Sequence, residues 1–153
     1  MVSVTVQRDT PAAARRGIRW GRIALASFLM ELTLAIVLTP VGIFFGSPFI
    51  AGSGGPSADY TVFFVSVAAG CFLAGALFGL WVARPLSSQF ALHGLLAGVG
   101  GTLIYLVLCS IPPSTIPAVI AGYGSFWFFL SNGLRIVGAV LGAVCRGRLG
   151  RPG

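Results

Sequence analysis

The stretch from Ile23 to Phe45, IALASFLMELTLAIVLTPVGIFF, decides the fold class of this chain. Glu31 is its only charged residue. An α-helix rises about 1.5 Å per residue and the hydrocarbon core of a bilayer is about 30 Å thick, so roughly 20 apolar residues are enough to cross it. The stretch therefore predicts a transmembrane helix.

Three further stretches of similar length and composition follow, at residues 60–82, 90–111 and about 123–144. The last apolar run starts at Ile116, but its early part, with Pro117, Gly122 and Gly124, favours a turn, so the span itself is placed from about residue 123. Only 8% of the residues are charged and 56% are hydrophobic, whereas a soluble domain is about a quarter charged. The sequence predicts an all-α integral membrane protein, a bundle of four transmembrane helices.

The predicted domain organisation has three parts. Residues 1–19 form a mobile basic tail, residues 20–145 form the four-helix domain, and residues 146–153 form a short basic tail. Every arginine outside the spans lies before the first span, in the link at residues 84–89 or in the C-terminal tail, while the loops at 46–59 and 112–114 have none. Positive residues near helix ends stay in the cytoplasm, so both termini are predicted to be cytoplasmic, in the plasma or inner membrane.

The net charge of +7 has a membrane explanation. The arginines crowd the two ends of the chain and form no single basic face, so no nucleic-acid partner is predicted. We expect the terminal arginines to contact anionic lipid headgroups instead.

Small residues recur at helical spacing in the predicted spans. In lipid, helices associate where small residues allow the backbones to approach closely. The residues predicted to mark helix contacts are Gly75, Gly79, Gly94, Gly98, Gly138 and Gly142.

Two charged residues are predicted to meet inside the bundle. Glu31 shares a helix face with small residues of the first span, and Arg135 shares one with Gly138 and Gly142 of the fourth. Glu31 is nine residues from Arg22 and Arg135 is eleven from Arg146, which places both about 13 to 17 Å from the cytoplasmic ends. An isolated charge at this depth costs about 2.5 to 3.5 kcal/mol or more, so we expect an ion pair.

This predicted pair has two interpretations. In the first it is a structural link that joins the first and last helices, with Ser131 or Asn132 as further hydrogen-bond partners. In the second, Glu31 exchanges a proton for a cation or polar substrate and Arg135 tunes it. His93 is predicted to hydrogen-bond a neighbouring helix or headgroups, or to relay protons with Glu31.

The residues 26–35, with Glu31 in the middle of the first of four helices, resemble the small multidrug resistance exporters. The resemblance implies a carboxylate that binds protons and cationic drugs in turn. It covers less than a tenth of the chain. Arg135 departs from the pattern of those exporters, which have no fourth-helix arginine to neutralise the acid.

No enzyme is predicted, because Asp9, Glu31 and Asp59 are the only acids and lie in three different places. We predict no catalytic, cofactor or metal site. The predicted function is that of a small structural, accessory or assembly membrane protein. The alternative is a small proton-coupled transporter or channel-like protein that uses Glu31 as an oligomer. The expected partners are the bilayer and either a second copy or an unidentified membrane protein.

Overall fold

The computed structural model describes residues 17–45, 60–86, 88–111 and 126–149, and these residues form four α-helices. The helices are α1 (Trp20–Phe45), α2 (Thr61–Ala83), α3 (Phe90–Cys109) and α4 (Phe126–Leu149). The predicted all-helical fold is confirmed, and each of the four helices is long and apolar enough to cross a membrane.

Two helix boundaries differ from the predicted spans by several residues. α1 begins at Trp20, before the predicted start at Ile23. α4 continues to Leu149, so Arg146 and Arg148 lie in its last turn. Positive side chains there interact favourably with the partial negative charge of the helix C-terminus, which explains the extension. Residues 1–16 of the predicted basic tail (1–19) and the predicted start of the fourth span near residue 123 lie outside the described residues.

The four helices alternate in direction, and the first and last lie at opposite corners of the bundle. α1 and α4 each pack against α2 and α3, which also contact each other, but α1 and α4 have almost no direct backbone contact. α2 and α4 run parallel, since Gly75 lies beside Arg135 and Gly79 beside Ala139. One end of the bundle, here called the arginine end, carries Arg19, Arg22, Arg84, Arg146 and Arg148.

The six glycines predicted to mark helix contacts all lie where two backbones meet. A Cβ at Gly79 would collide with the carbonyl oxygen of Ala139, and one at Gly142 with that of Ala76. Gly75 and Gly138 lie in the same α2 to α4 contact. Gly94 and Gly98 face α4 from α3. α4 is therefore held by direct backbone packing on two sides.

Small residues occupy much of the interior of the bundle, together with a few larger ones such as Met30 and Leu34, and most large apolar residues face outward. Ala26, Ala97, Ala139 and Ala143 have no exposed surface. Phe, Leu, Ile and Val side chains stand exposed on all four helices. This distribution is the reverse of a water-soluble core, in which the large apolar residues lie inside.

We predict that Gly142→Ala destabilises the bundle, because the added methyl group would overlap the backbone of Ala76 and force α2 and α4 apart. The expected loss in the free energy of unfolding is about 1 to 3 kcal/mol, the usual cost of overpacking. Unfolding of the purified protein in mixed micelles measures it.

The matched control is Gly133→Ala on the same helix, where a Cβ meets nothing within 4 Å. Alanine favours a helix over glycine by roughly 0.5 to 1 kcal/mol, so this variant should be neutral or more stable. Equal destabilisation by both variants would contradict the backbone contact.

Candidate functional site

The only ion pair among the described residues joins the two charges buried inside the bundle. Nη1 of Arg135 lies 2.6 Å from Oε1 of Glu31. Glu31 is 7% exposed and Arg135 is 3% exposed. The pair crosses from α1 to α4, the two helices that barely touch, so it spans the interior between them.

The other two helices also contact the ion pair. Nη2 of Arg135 donates a weak hydrogen bond to Sγ of Cys71 on α2, at 3.5 Å. From α3, the ring of Tyr105 lies 5.7 Å from the guanidinium carbon, within the range of a cation–π contact. A Cβ at Gly101 of α3 would lie 3.3 Å from Oε1 of Glu31, so the missing side chain leaves room for the carboxylate. Sequence reasoning missed both Cys71 and Gly101 as neighbours of the pair.

The contact between Glu31 and Arg135 is close in distance but lacks the alignment of a hydrogen bond. Oε1 of Glu31 and both Nε and Nη1 of Arg135 are buried without a hydrogen-bond partner. The two groups are thus held mainly by charge attraction, which is strong in a low-dielectric interior. Nε of Arg135 contacts no acceptor among the described residues.

The two polar residues that precede Arg135 do not complete its hydrogen bonding. Nδ2 of Asn132 donates to the carbonyl oxygen of Phe128 in its own helix, at 2.9 Å, and Oδ1 of Asn132 is buried without a partner. Ser131 is buried one turn before Arg135. The structure therefore brings Asn132 close to the pair along α4 but not into hydrogen-bond contact with it.

His93 lies at the arginine end, away from Glu31. Its Nε2 accepts a hydrogen bond from the backbone N–H of Arg19 at 3.3 Å, and its Nδ1 lies 3.0 Å from the carbonyl oxygen of Gln89. A neutral ring with the proton on Nδ1 satisfies both contacts. His93 precedes Gly101 by eight residues, which is about 12 Å along the helix axis. His93 thus links the residues at the starts of α1 and α3 by hydrogen bonds and does not lie beside Glu31.

Arg22 also has a structural contact that sequence reasoning missed. Its Nη2 donates to the carbonyl oxygen of Trp81 at 2.7 Å, and its guanidinium carbon lies 4.2 Å from the centre of the Trp81 ring. Arg22 precedes the first predicted span and Trp81 lies near the end of the second, so both belong at the same end of two antiparallel helices. This placement is the feature of the sequence from which the contact could have been predicted. Of the terminal arginines expected to contact lipid, this one is bound within the protein.

Comparison of the chain with protein-family models, curated proteins and solved structures found no match. The resemblance of residues 26–35 to the small multidrug resistance exporters stays a prediction from sequence. Among the described residues, no group of three His, Cys, Asp or Glu side chains is arranged to hold a metal ion. The ion pair and its neighbours on four helices are the candidate site.

We predict that Arg22→Gln destabilises the bundle, because it removes the charged hydrogen bond and the ring contact to Trp81 together. The expected loss in the free energy of unfolding is about 1 to 3 kcal/mol, which unfolding in mixed micelles measures. Arg19→Gln makes the same change in charge three residues earlier on an exposed side chain and should stay within about 0.5 kcal/mol of the wild type. Equal losses from both variants would show that charge alone, and not the Trp81 contact, matters.

Proposed function

We propose that this chain is a multi-pass protein of the cell membrane, with four helices across the bilayer and both ends in the cytoplasm. The exposed large apolar side chains on every helix support insertion, because lipid is the solvent that suits them. The arginine end collects five arginines, and the described residues at the other end include none. This asymmetry supports the arginine end as the cytoplasmic one.

We further propose that its role is structural, as a small accessory or assembly protein of the membrane. The observation that carries this proposal is the buried ion pair between Glu31 and Arg135, which touches all four helices through Cys71, Tyr105 and the space at Gly101. Removing one partner would leave the other charge buried and uncompensated, which is strongly destabilising. A contact with this geometry holds helices α1 and α4 in one arrangement. The proposed partner of such a protein is a second copy or another membrane protein.

One observation favours the alternative of a proton-coupled transporter that works as an oligomer. Buried polar atoms on Glu31, Asn132 and Arg135 have no hydrogen-bond partner, and ionisable residues inside a membrane domain often line ion or substrate pathways. Against it, Arg135 already neutralises the carboxylate that a cation would bind. We therefore propose the structural role as the function and keep proton-coupled transport as the alternative.

The structural role predicts a distinct pattern in a double-mutant cycle. Glu31→Gln and Arg135→Gln should each lower the free energy of unfolding by about 3 to 5 kcal/mol, since each leaves one buried charge unpaired. The double variant buries no net charge there and should recover much of that loss. Arg148→Gln, at an exposed position of the same helix, is the control and should change stability by less than about 0.5 kcal/mol.

Unfolding in lipid nanodiscs or mixed micelles measures all four variants. Single variants that are as stable as the wild type would contradict the structural role. Losses that simply add in the double variant would contradict the pairing.

The transport alternative predicts a different signal in sealed proteoliposomes. When a gradient of a lipophilic cation is imposed, a transporter should move protons, and Glu31→Gln should abolish the movement. The structural role predicts the same pH trace for wild type, Glu31→Gln and protein-free liposomes. Proton movement that depends on Glu31 would overturn it.

A further inference from the structure

A surface pocket lies between the ends of α2 and α4 at the arginine end. It has a volume of about 510 Å³ and is lined by Leu80, Arg84, Arg146 and Leu149. Two cationic side chains and two apolar ones thus share one pocket. A ligand that fits this lining is amphiphilic, with an anionic group beside an apolar part.

The two guanidinium groups of this pocket have no acidic partner among the described residues. Glu31 is the only acid among the described residues, and it is paired with Arg135. Arg135 precedes Arg146 by eleven residues, or about 16 Å along α4, so Glu31 cannot reach the pocket. Arg22 lies at the same end of the bundle but differs from Arg84 and Arg146, because its guanidinium group already contacts Trp81. Charge complementarity therefore calls for an anion at Arg84 and Arg146.

The backbone at this pocket does not supply an anion site by itself. Both α2 and α4 end there, and helix C-termini carry partial negative charge. An anion must therefore be held by the arginine side chains. Guanidinium groups suit this task, because their paired N–H groups match two oxygens of a phosphate.

We propose that this pocket binds one anionic phospholipid, with its phosphate between Arg84 and Arg146 and its acyl chains along Leu80. The proposal rests on the proposed membrane orientation, in which the arginine end meets the cytoplasmic leaflet. Leu80 lies one turn before Arg84, on the side of the bundle middle, and the exposed Leu77 continues the apolar surface in the same direction. A phosphate alone would leave this apolar surface unused, and a lipid covers it.

The test measures lipid binding to the purified full-length chain by native mass spectrometry from a neutral detergent. Phosphatidylglycerol, phosphatidylcholine and inorganic phosphate are titrated separately. The wild type should bind one phosphatidylglycerol in preference to phosphatidylcholine, and phosphate more weakly than either. Arg84→Gln and Arg146→Gln should each weaken phosphatidylglycerol binding about fivefold, and the double variant about 25-fold.

The matched control is Arg148→Gln, which removes the same charge from the same helix turn but lies outside the pocket lining. It should leave phosphatidylglycerol binding within about twofold of the wild type. Arg146→Lys keeps the charge without the paired N–H groups and should bind with intermediate affinity, which tests the pocket even where a glutamine variant fails to fold.

Three results would overturn the proposal. The first is equal affinity for phosphatidylcholine and phosphatidylglycerol. The second is equal weakening of phosphatidylglycerol binding by Arg148→Gln and Arg146→Gln. The third is binding of inorganic phosphate as tight as that of phosphatidylglycerol. Insertion of the wild type into nanodiscs is scored separately. Failure to insert would contradict the transmembrane function, whereas an inserted protein without lipid preference would contradict this site alone.

Discussion

A carboxylate and a guanidinium group inside an apolar bundle constrain every helix around them. Glu31 and Arg135 belong to helices at opposite corners, so their contact at 2.6 Å requires α2 and α3 to leave space between those corners. Gly101 provides that space on α3. Cys71 on α2 and Tyr105 on α3 then border the guanidinium group. In the bilayer that we propose as the solvent, separating the charges would be costly, which makes this arrangement of four helices the favourable one.

The glycine contacts of α4 make the ion pair possible. Gly75 lies against the backbone of Arg135 itself, and a Cβ there would collide with its carbonyl oxygen. Close packing at this point fixes the backbone position from which the Arg135 side chain reaches Glu31. In lipid there is little hydrophobic drive between helices, so backbone contact at small residues supplies the attraction. The bundle thus combines close backbone packing with an ion pair between helices that are far apart in the sequence.

The sequence predicts the number of helices, their directions and the faces that carry Glu31 and Arg135, because all of these follow from apolar length, arginine placement and helical period. It does not predict which helices are neighbours. A helix face gives a direction but no partner, so the opposite placement of α1 and α4 and the role of Gly101 emerge only in three dimensions. The contact of Arg22 with Trp81 is missed for a related reason, since each residue alone fits the headgroup layer. Apolar length does not fix the helix ends either: α4 continues past its apolar run to Leu149, with arginines in its last turn, where positive charge suits a helix C-terminus.

The chain has Glu31 as its single glutamate, which makes its carboxyl carbon a unique spectroscopic label. The most direct measurement is solid-state NMR in lipid bilayers, with ¹³C at the glutamate side-chain carboxyl and ¹⁵N at the arginine side chains. The account predicts strong ¹³C–¹⁵N dipolar dephasing, equivalent to a separation of about 4 Å or less, and its loss in Arg135→Gln. A carboxyl signal that is not dephased in the wild type, or dephasing that survives Arg135→Gln, would contradict the account.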